Sequence, residues 1–279
     1  MDSDKLSGTY YTPPDAIQFM MEYLKKEQQD FSNVLEPSAG DGRFLPLLQE
    51  NASHITAIEL FQEKVDQMCR EYTGDLCTIV KDNFLDFSVN TLERYSLIIG
   101  NPPYINKKLM SKEELEKAYA ICAEAGLIKT VMQNMWLAFV MGSCRLLQPG
   151  GSIFFILPME FLQVQYAERL RKYLEKIFNT IHIIVFQKAL FPEIEQGVCL
   201  VYLTNKRCAK RHIRYEVYED CKKRVPIQEN SIRWNKPLKK WSNAILDDSD
   251  ISLLKSAVNQ YPRIKNMGQI APGIVTGGN

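Results

Sequence analysis

Asn33-Val34-Leu35-Glu36-Pro37-Ser38-Ala39-Gly40-Asp41-Gly42 passes from a short apolar run, through a proline, into small turn-forming residues. Arg43 to Gln49 follows with helix-like apolar spacing. Strand, small-residue turn and helix in that order open a parallel α/β sheet, in which ligands sit outside the carboxyl ends of the strands. Small residues let the backbone approach a ligand, and the next helix offers unpaired N–H groups to an anionic group such as a carboxylate. Taken alone, such a turn holds any nucleotide or is only a tight bend.

The same alternation extends outward from this turn. Apolar runs at Asn33–Glu36, Ile55–Glu59, Cys77–Val80 and Leu97–Gly100 read as strands, as do 152–157, 181–187 and 197–204. Between them lie helical patterns at Phe61–Glu71, roughly Val131–Leu147 (stopped by Pro149-Gly150-Gly151) and 163–177. A further helix follows Thr12-Pro13-Pro14, where a threonine cap and early prolines suit a helix start. The last two strands are joined by a short connection carrying Phe191-Pro192, too short for a crossover helix, so they are expected to be antiparallel. The fold class is therefore α/β: a doubly wound, mostly parallel sheet of seven strands with an antiparallel last strand. Beyond residue 205 the alternation fails. Residues 1–205 are expected to form one domain and 206–279 a basic linker entering a second, truncated one. A helix is expected near 247–259, and the Gly-rich ending Gly273 to Asn279 suggests a chain cut short.

Composition narrows the classes. The 279 residues are 46% hydrophobic and 24% charged, as in a globular protein. The longest apolar runs, Ser152–Pro158 and Ile181–Phe186, fall far below the roughly 20 residues that cross a bilayer. Met1-Asp2-Ser3-Asp4 does not resemble a secretory leader, so a cytoplasmic location without membrane attachment is expected. The seven cysteines are scattered without a C-x-x-C pair, and His54, His182 and His212 stand apart, so neither a disulfide framework nor a metal site is expected. Net charge is only +1, yet Lys206 to Lys240 carries twelve Lys/Arg against four Asp/Glu, a stretch able to follow a phosphate backbone.

Three strand ends carry groups suited to a nucleoside. Glu36, Ser38 and Gly40 lie in the first turn. Glu59, about twenty positions on, is placed to accept from two ribose hydroxyls. Asp82-Asn83-Phe84 offers a polar group for an adenine edge and a ring for its face. There is no G-x-x-x-x-G-K-[ST] segment, which excludes a P-loop.

The fourth strand runs into Asn101-Pro102-Pro103-Tyr104. Adjoining prolines stiffen the turn and leave the Asn101 side chain and the Pro102 carbonyl as fixed acceptors. An aromatic amino nitrogen is a poor nucleophile because its lone pair is delocalised into the ring. Two acceptors on its two N–H groups draw it toward tetrahedral geometry and stabilise the positive charge that develops as it attacks a sulfonium methyl. Tyr104 supplies a ring on which a planar base can stack.

With these residues the sequence resembles the gamma-class, TaqI-like N6-adenine DNA methyltransferases of restriction-modification systems, over roughly residues 8 to 205. The resemblance implies the class I S-adenosylmethionine-dependent methyltransferase fold, with S-adenosylmethionine as cofactor and double-stranded DNA as substrate. It also implies a restriction endonuclease, specificity partner or fused domain as companion. Gly8-Thr9-Tyr10-Tyr11-Thr12-Pro13 is similar to the family's N-terminal cofactor motif, which assigns Tyr11 and Thr12 to the methionine part. Glu36, Ser38, Gly40, Glu59 and Asn101 match cofactor positions. The third motif reads Asp-Phe in the family and Asn83-Phe84 here, with Asp82 preceding, so the adenine contact falls to Asp82 or Asn83. Asn101, Pro102 and Tyr104 match the catalytic motif. Phe191 matches an aromatic that supports a flipped base opposite Tyr104, and Thr276-Gly277-Gly278-Asn279 resembles the opening of the target-recognition region. The target adenine is then expected to leave the duplex, with both rings replacing its lost stacking. Asn-Pro-Pro-Tyr also occurs in enzymes that methylate protein glutamine or ribosomal RNA. A non-catalytic cofactor- or DNA-binding subunit is a further reading.

Overall fold

The computed structural model describes residues 11 to 268 except 28, 73, 125, 128–131, 192–196, 207–210, 234–237, 239, 246–247 and 263–265. After helix α1 (Pro14–Lys26), strand and helix alternate: β1 (Val34–Glu36), α2 (Leu45–Gln49), β2 (Ile55–Glu59), α3 (Gln62–Glu71), β3 (Cys77–Lys81), α4 (Phe84–Asn90) and β4 (Tyr95–Gly100). Helices α5 (Lys112–Glu124) and α6 (Met135–Leu146) lead to β5 (Leu147–Pro158), α7 (Glu168–Ile177), β6 (Thr180–Phe186) and β7 (Val198–Thr204). The chain continues through β8 (His212–Tyr218), β9 (Gln228–Arg233) and α8 (Asp248–Gln260).

One sheet joins these strands in the order β3-β2-β1-β4-β5-β7-β6-β8-β9. Pairings from β3 through β5 are parallel, and β7 lies antiparallel between β5 and β6. The antiparallel hairpin expected around Phe191 is therefore present, and the doubly wound class stands.

The sheet has nine described strands where seven were expected. In β8, Ile213, Tyr215 and Tyr218 are buried, and Ile181 of β6 stands beside Ile213 in parallel register. The sheet thus runs past residue 205, where a linker was expected. Basic residues of this extension find acids in and just after α1: Arg214 meets Glu27, Lys222 meets Asp15, and Arg224 meets Glu22, while Arg214 also faces Glu216 of its own strand. Charge that reads as a phosphate track in sequence is in part spent on fastening β8 and its turn to α1.

Side-chain alternation along the strands divides the core in two. Ile98, Ile153, Phe155 and Ile183 pack under α4 to α7, while Leu97, Ile99, Phe154 and Ile184 pack under α1 and α2. Trp241, in a 3₁₀ turn at Trp241–Ile245, also enters the first layer. It is fully buried, edge-on to Phe161 at 5.1 Å, and its indole N–H donates to Glu175 Oε1 at 2.6 Å. The Leu238 amide donates to the same carboxylate. No helix among the described residues is long and apolar enough to cross a membrane.

Candidate active site

A cavity of about 320 Å³ opens at the carboxyl ends of β1, β2, β3 and β4. Its walls bring together all ten residues predicted to hold a cofactor: Tyr11, Thr12, Glu36, Ser38, Gly40, Glu59, Asp82, Asn83, Phe84 and Asn101. These come from segments spread over ninety positions, and the parallel register aligns them because every strand of this half ends on one edge.

The first turn is held by hydrogen bonds between strand ends. Gly40 has a left-handed φ of 61°, which suits a residue without Cβ, and its N–H donates to Glu59 Oε2 at 2.8 Å. The Phe61 amide donates to Glu59 Oε1 at 2.8 Å. Two backbone donors thus aim a buried carboxylate while each oxygen keeps further acceptor capacity for a hydroxyl. Ser38 Oγ donates to the Asn101 carbonyl at 3.2 Å and so ties the cofactor turn to the Asn-Pro-Pro-Tyr turn.

Glu36 is fully buried and its Oε2 has no hydrogen-bond partner. Burial, then the charges of Asp41 and Glu59, push its carboxyl well above the usual range. Around the cavity stand Glu36, Asp41, Glu59, Asp82 and Glu114 against Arg43 and Lys64, and Arg43 is already paired with Asp41 at 2.8 Å. Such a cleft favours a ligand that carries positive charge. Tyr11 stands between the two cations, with Arg43 at 4.7 Å and Lys64 at 4.9 Å from its ring centroid.

At the third strand the two polar candidates take different parts. Asn83 Oδ1 accepts from the Leu85 amide at 2.9 Å and caps α4, a helix missed in the sequence because it is only seven residues long. Asp82 Oδ1 accepts from the Asn83 amide at 2.7 Å, which leaves its second oxygen as an acceptor toward the cavity. Phe84 lies beside Phe139 of α6, ring centroids 4.7 Å apart. Sequence reading missed Phe139, along with Leu60, Phe61, Ile105 and Leu109, which also line the cavity. Of these, only Leu60 and Phe61 had a signal, directly following Glu59.

The Asn-Pro-Pro-Tyr segment is divided. Asn101 and Pro103 line the cavity, and Pro102 is buried beneath it. Tyr104 packs against the α4–α7 layer, and its hydroxyl donates to the Ile156 carbonyl at 3.0 Å, which fixes its ring. Phe191, expected opposite Tyr104, is 3% exposed and packs with Leu190 in the layer under α1, on the other face of the sheet. Burying an aromatic side chain is worth more than holding it in water, which keeps the Phe191 ring in this layer. Gly8 to Tyr10 and Thr276 to Asn279 lie outside the described residues. Among the described residues no group of His, Cys, Asp and Glu is arranged to hold a metal ion.

Fold and site together define a class I S-adenosylmethionine-dependent methyltransferase architecture. A putative enzyme of that class from Listeria monocytogenes superposes with a TM-score of 0.59 at 14% identity, covering 91% of this chain and 72% of its own. A chain of a DrdV–DNA complex gives 0.66 at 17%, over 88% of this chain and 32% of that one. Residues 81–191 match the Eco57I restriction-modification methylase family. The Type II methyltransferase M.HincII of Haemophilus influenzae is 28% identical over 208 residues, which are 71% of this chain and 38% of that protein. M.TthHB8I of Thermus thermophilus is 28% identical over 180 residues, 62% of this chain and 40% of its own. The chain is similar to these Type II methyltransferases and, over residues 81–191, to the Eco57I methylase family, and it spans less than half the length of the curated relatives it matches.

Proposed function

We propose that this chain carries the catalytic machinery for transfer of a methyl group from S-adenosylmethionine to the N6 amino group of an adenine flipped out of DNA, within a restriction-modification system. The observation that carries the reading is the meeting of Asn101 with Glu36, Glu59 and Asp82 in one cavity.

The residues fit the cofactor. Glu36, with an unpartnered buried oxygen, is suited to an ammonium group. Glu59, aimed by Gly40 and Phe61, is suited to the ribose hydroxyls. Asp82, with one oxygen that accepts no protein hydrogen bond, takes the adenine edge in preference to Asn83, whose side chain is held in place by the α4 cap. When bound, S-adenosylmethionine supplies an electrophilic methyl group.

The remaining work belongs to this chain. The Asn101 side chain and the Pro102 carbonyl accept the two amino protons of the target, localise the nitrogen lone pair and stabilise its developing positive charge. Tyr104, its ring fixed by the bond to Ile156, presents a stacking face to the base. By resemblance the second stacking face falls to Phe191. A partner that reads the DNA sequence, whether a fused domain or another chain, completes the system.

Asn101→Ala tests the reading. Because Asn101 also lines the cofactor cavity, the variant is expected to lose up to about tenfold in S-adenosylhomocysteine affinity, while transfer of labelled methyl to DNA by the full-length protein at saturating cofactor falls at least ~100-fold, the scale for a lost charge-stabilising contact. Undiminished transfer refutes the mechanism. Transfer to RNA or protein glutamine in place of DNA refutes the substrate.

A further inference from the structure

Leu109 is 64% exposed, yet it lines the cofactor cavity. It ends a single 3₁₀ turn, Lys107–Leu109, between the Asn-Pro-Pro-Tyr segment and α5. Lone exposed leucines need no explanation on an open surface. This one lines a cleft that two more exposed apolar side chains also line from the loop after β2, Leu60 at 44% and Phe61 at 47%, so that turn and loop are two apolar lips of one cavity.

The turn is built to hold its position. Asn106 Oδ1 accepts from the Lys108 amide at 3.0 Å, and the Leu109 amide donates to the Asn106 carbonyl at 2.8 Å. On its inner side, the Lys107 amide donates to the Gln133 carbonyl and the Met135 amide to the Ile105 carbonyl, which fasten the segment to the start of α6. On its outer side, Ser111 and Glu114 exchange hydrogen bonds in a capping box that starts α5. One turn further along, Lys117 pairs with Asp86 of α4 at 2.7 Å. Because α4 begins at Asn83 and Phe84, this ion pair links the turn to the side of the cavity where the nucleoside edge is read.

We propose that Leu109 is a cofactor-binding residue: the 107–109 turn forms the outer wall of the nucleoside site, and its leucine covers the ligand from the side facing Leu60 and Phe61. This assignment rests on the S-adenosylmethionine reading and deepens it. A nucleoside seated between the two lips removes all three apolar side chains from water, whereas without ligand they stay wet. The wall belongs to the segment that directly follows the catalytic tetrapeptide, so filling the nucleoside site also steadies the turn that begins at Asn101.

The test is calorimetric titration of the 279-residue chain with S-adenosylhomocysteine and, separately, with adenosine, using wild type, Leu109→Ala and Leu109→Met. Removing a side chain that the ligand covers weakens binding by about tenfold. The expected result is that loss for Leu109→Ala with both ligands, and affinity within about twofold of wild type for Leu109→Met, since methionine conserves volume. Ligand-free melting temperatures of the three proteins should agree within about 2 °C, because an exposed side chain contributes little to stability. Wild-type affinity in Leu109→Ala overturns the wall. So does a loss with S-adenosylhomocysteine that is absent with adenosine, or one accompanied by a lowered ligand-free melting temperature. If wild type binds neither ligand, the cofactor reading itself fails and this assignment falls with it.

Discussion

Replacing Trp241 with alanine asks whether the segment after β9 is part of the catalytic body. Trp241 is fully buried, packs edge-on against Phe161 and donates to a buried Glu175 carboxylate. Deleting a buried tryptophan side chain costs about 3–5 kcal/mol through lost contacts and the cavity left behind. Glu175 would keep the Leu238 amide as a hydrogen-bond donor. Trp241→Phe separates the two contributions: the ring contact survives, the N–H is lost, and about 1–3 kcal/mol goes with it. For a domain of this size each kcal/mol lowers the melting temperature by about 2–4 °C. The alanine variant should therefore melt about 6–20 °C below wild type and the phenylalanine variant about 2–12 °C below. Differential scanning calorimetry reads both. A drop under about 2 °C for Trp241→Ala would refute the docking, because a side chain so enclosed cannot be removed at so little cost.

Two further outcomes follow from the site. The Glu36 carboxyl is raised above its ordinary 4.5 by burial and by Asp41 and Glu59, so the folded chain holds a proton that the unfolded chain releases. Stability of the ligand-free protein should fall as pH rises from about 4.5 toward the raised value, and Glu36→Gln should flatten that dependence. A cationic ligand favours the ionised carboxyl, so titration in buffers of different ionisation enthalpy should show proton release with S-adenosylmethionine for wild type and none for Glu36→Gln; equal release would refute the role. Gly142 of α6 faces α4 so closely that an added Cβ would lie 3.0 Å from Ser88 Oγ and 3.1 Å from Phe84 Cε1. Gly142→Ala should cost about 1–3 kcal/mol by overpacking and shift Phe84, weakening S-adenosylhomocysteine binding along with stability; a variant with both unchanged would show that the two helices give way freely.

Residues that act near their own position in sequence were legible, and those brought in from a distance were not. Glu36, Glu59 and Asp82 each close a strand or directly follow one, so apolar run and polar stop announce them together. Phe139 lies inside an evenly apolar helix and Leu109 in a polar stretch, and neither has a local pattern that distinguishes a cavity wall from ordinary core or surface. The strand β8 does alternate, with Ile213, Tyr215 and Val217, but the dense charge around it hides the period. Its partners, Asp15, Glu22 and Glu27, lie about two hundred positions earlier. For Phe191, motif position pointed to the base, whereas the cost of leaving a ring in water places it in the core.

The reversed strand β7 has an effect on what can reach the edge of the sheet where the cavity lies. Because it runs back between β5 and β6, the connection from Phe186 to Val198 both leaves and re-enters the sheet on the edge where Asn101 stands. A crossover helix would have carried that connection to the opposite edge. The pairing of β6 with β7 begins below that connection, and Leu190 and Phe191 within it anchor its first half in the core under α1. The parallel strands β1 to β4 align the cavity walls, and the reversed strand β7 brings one further connection to that same edge without a crossover.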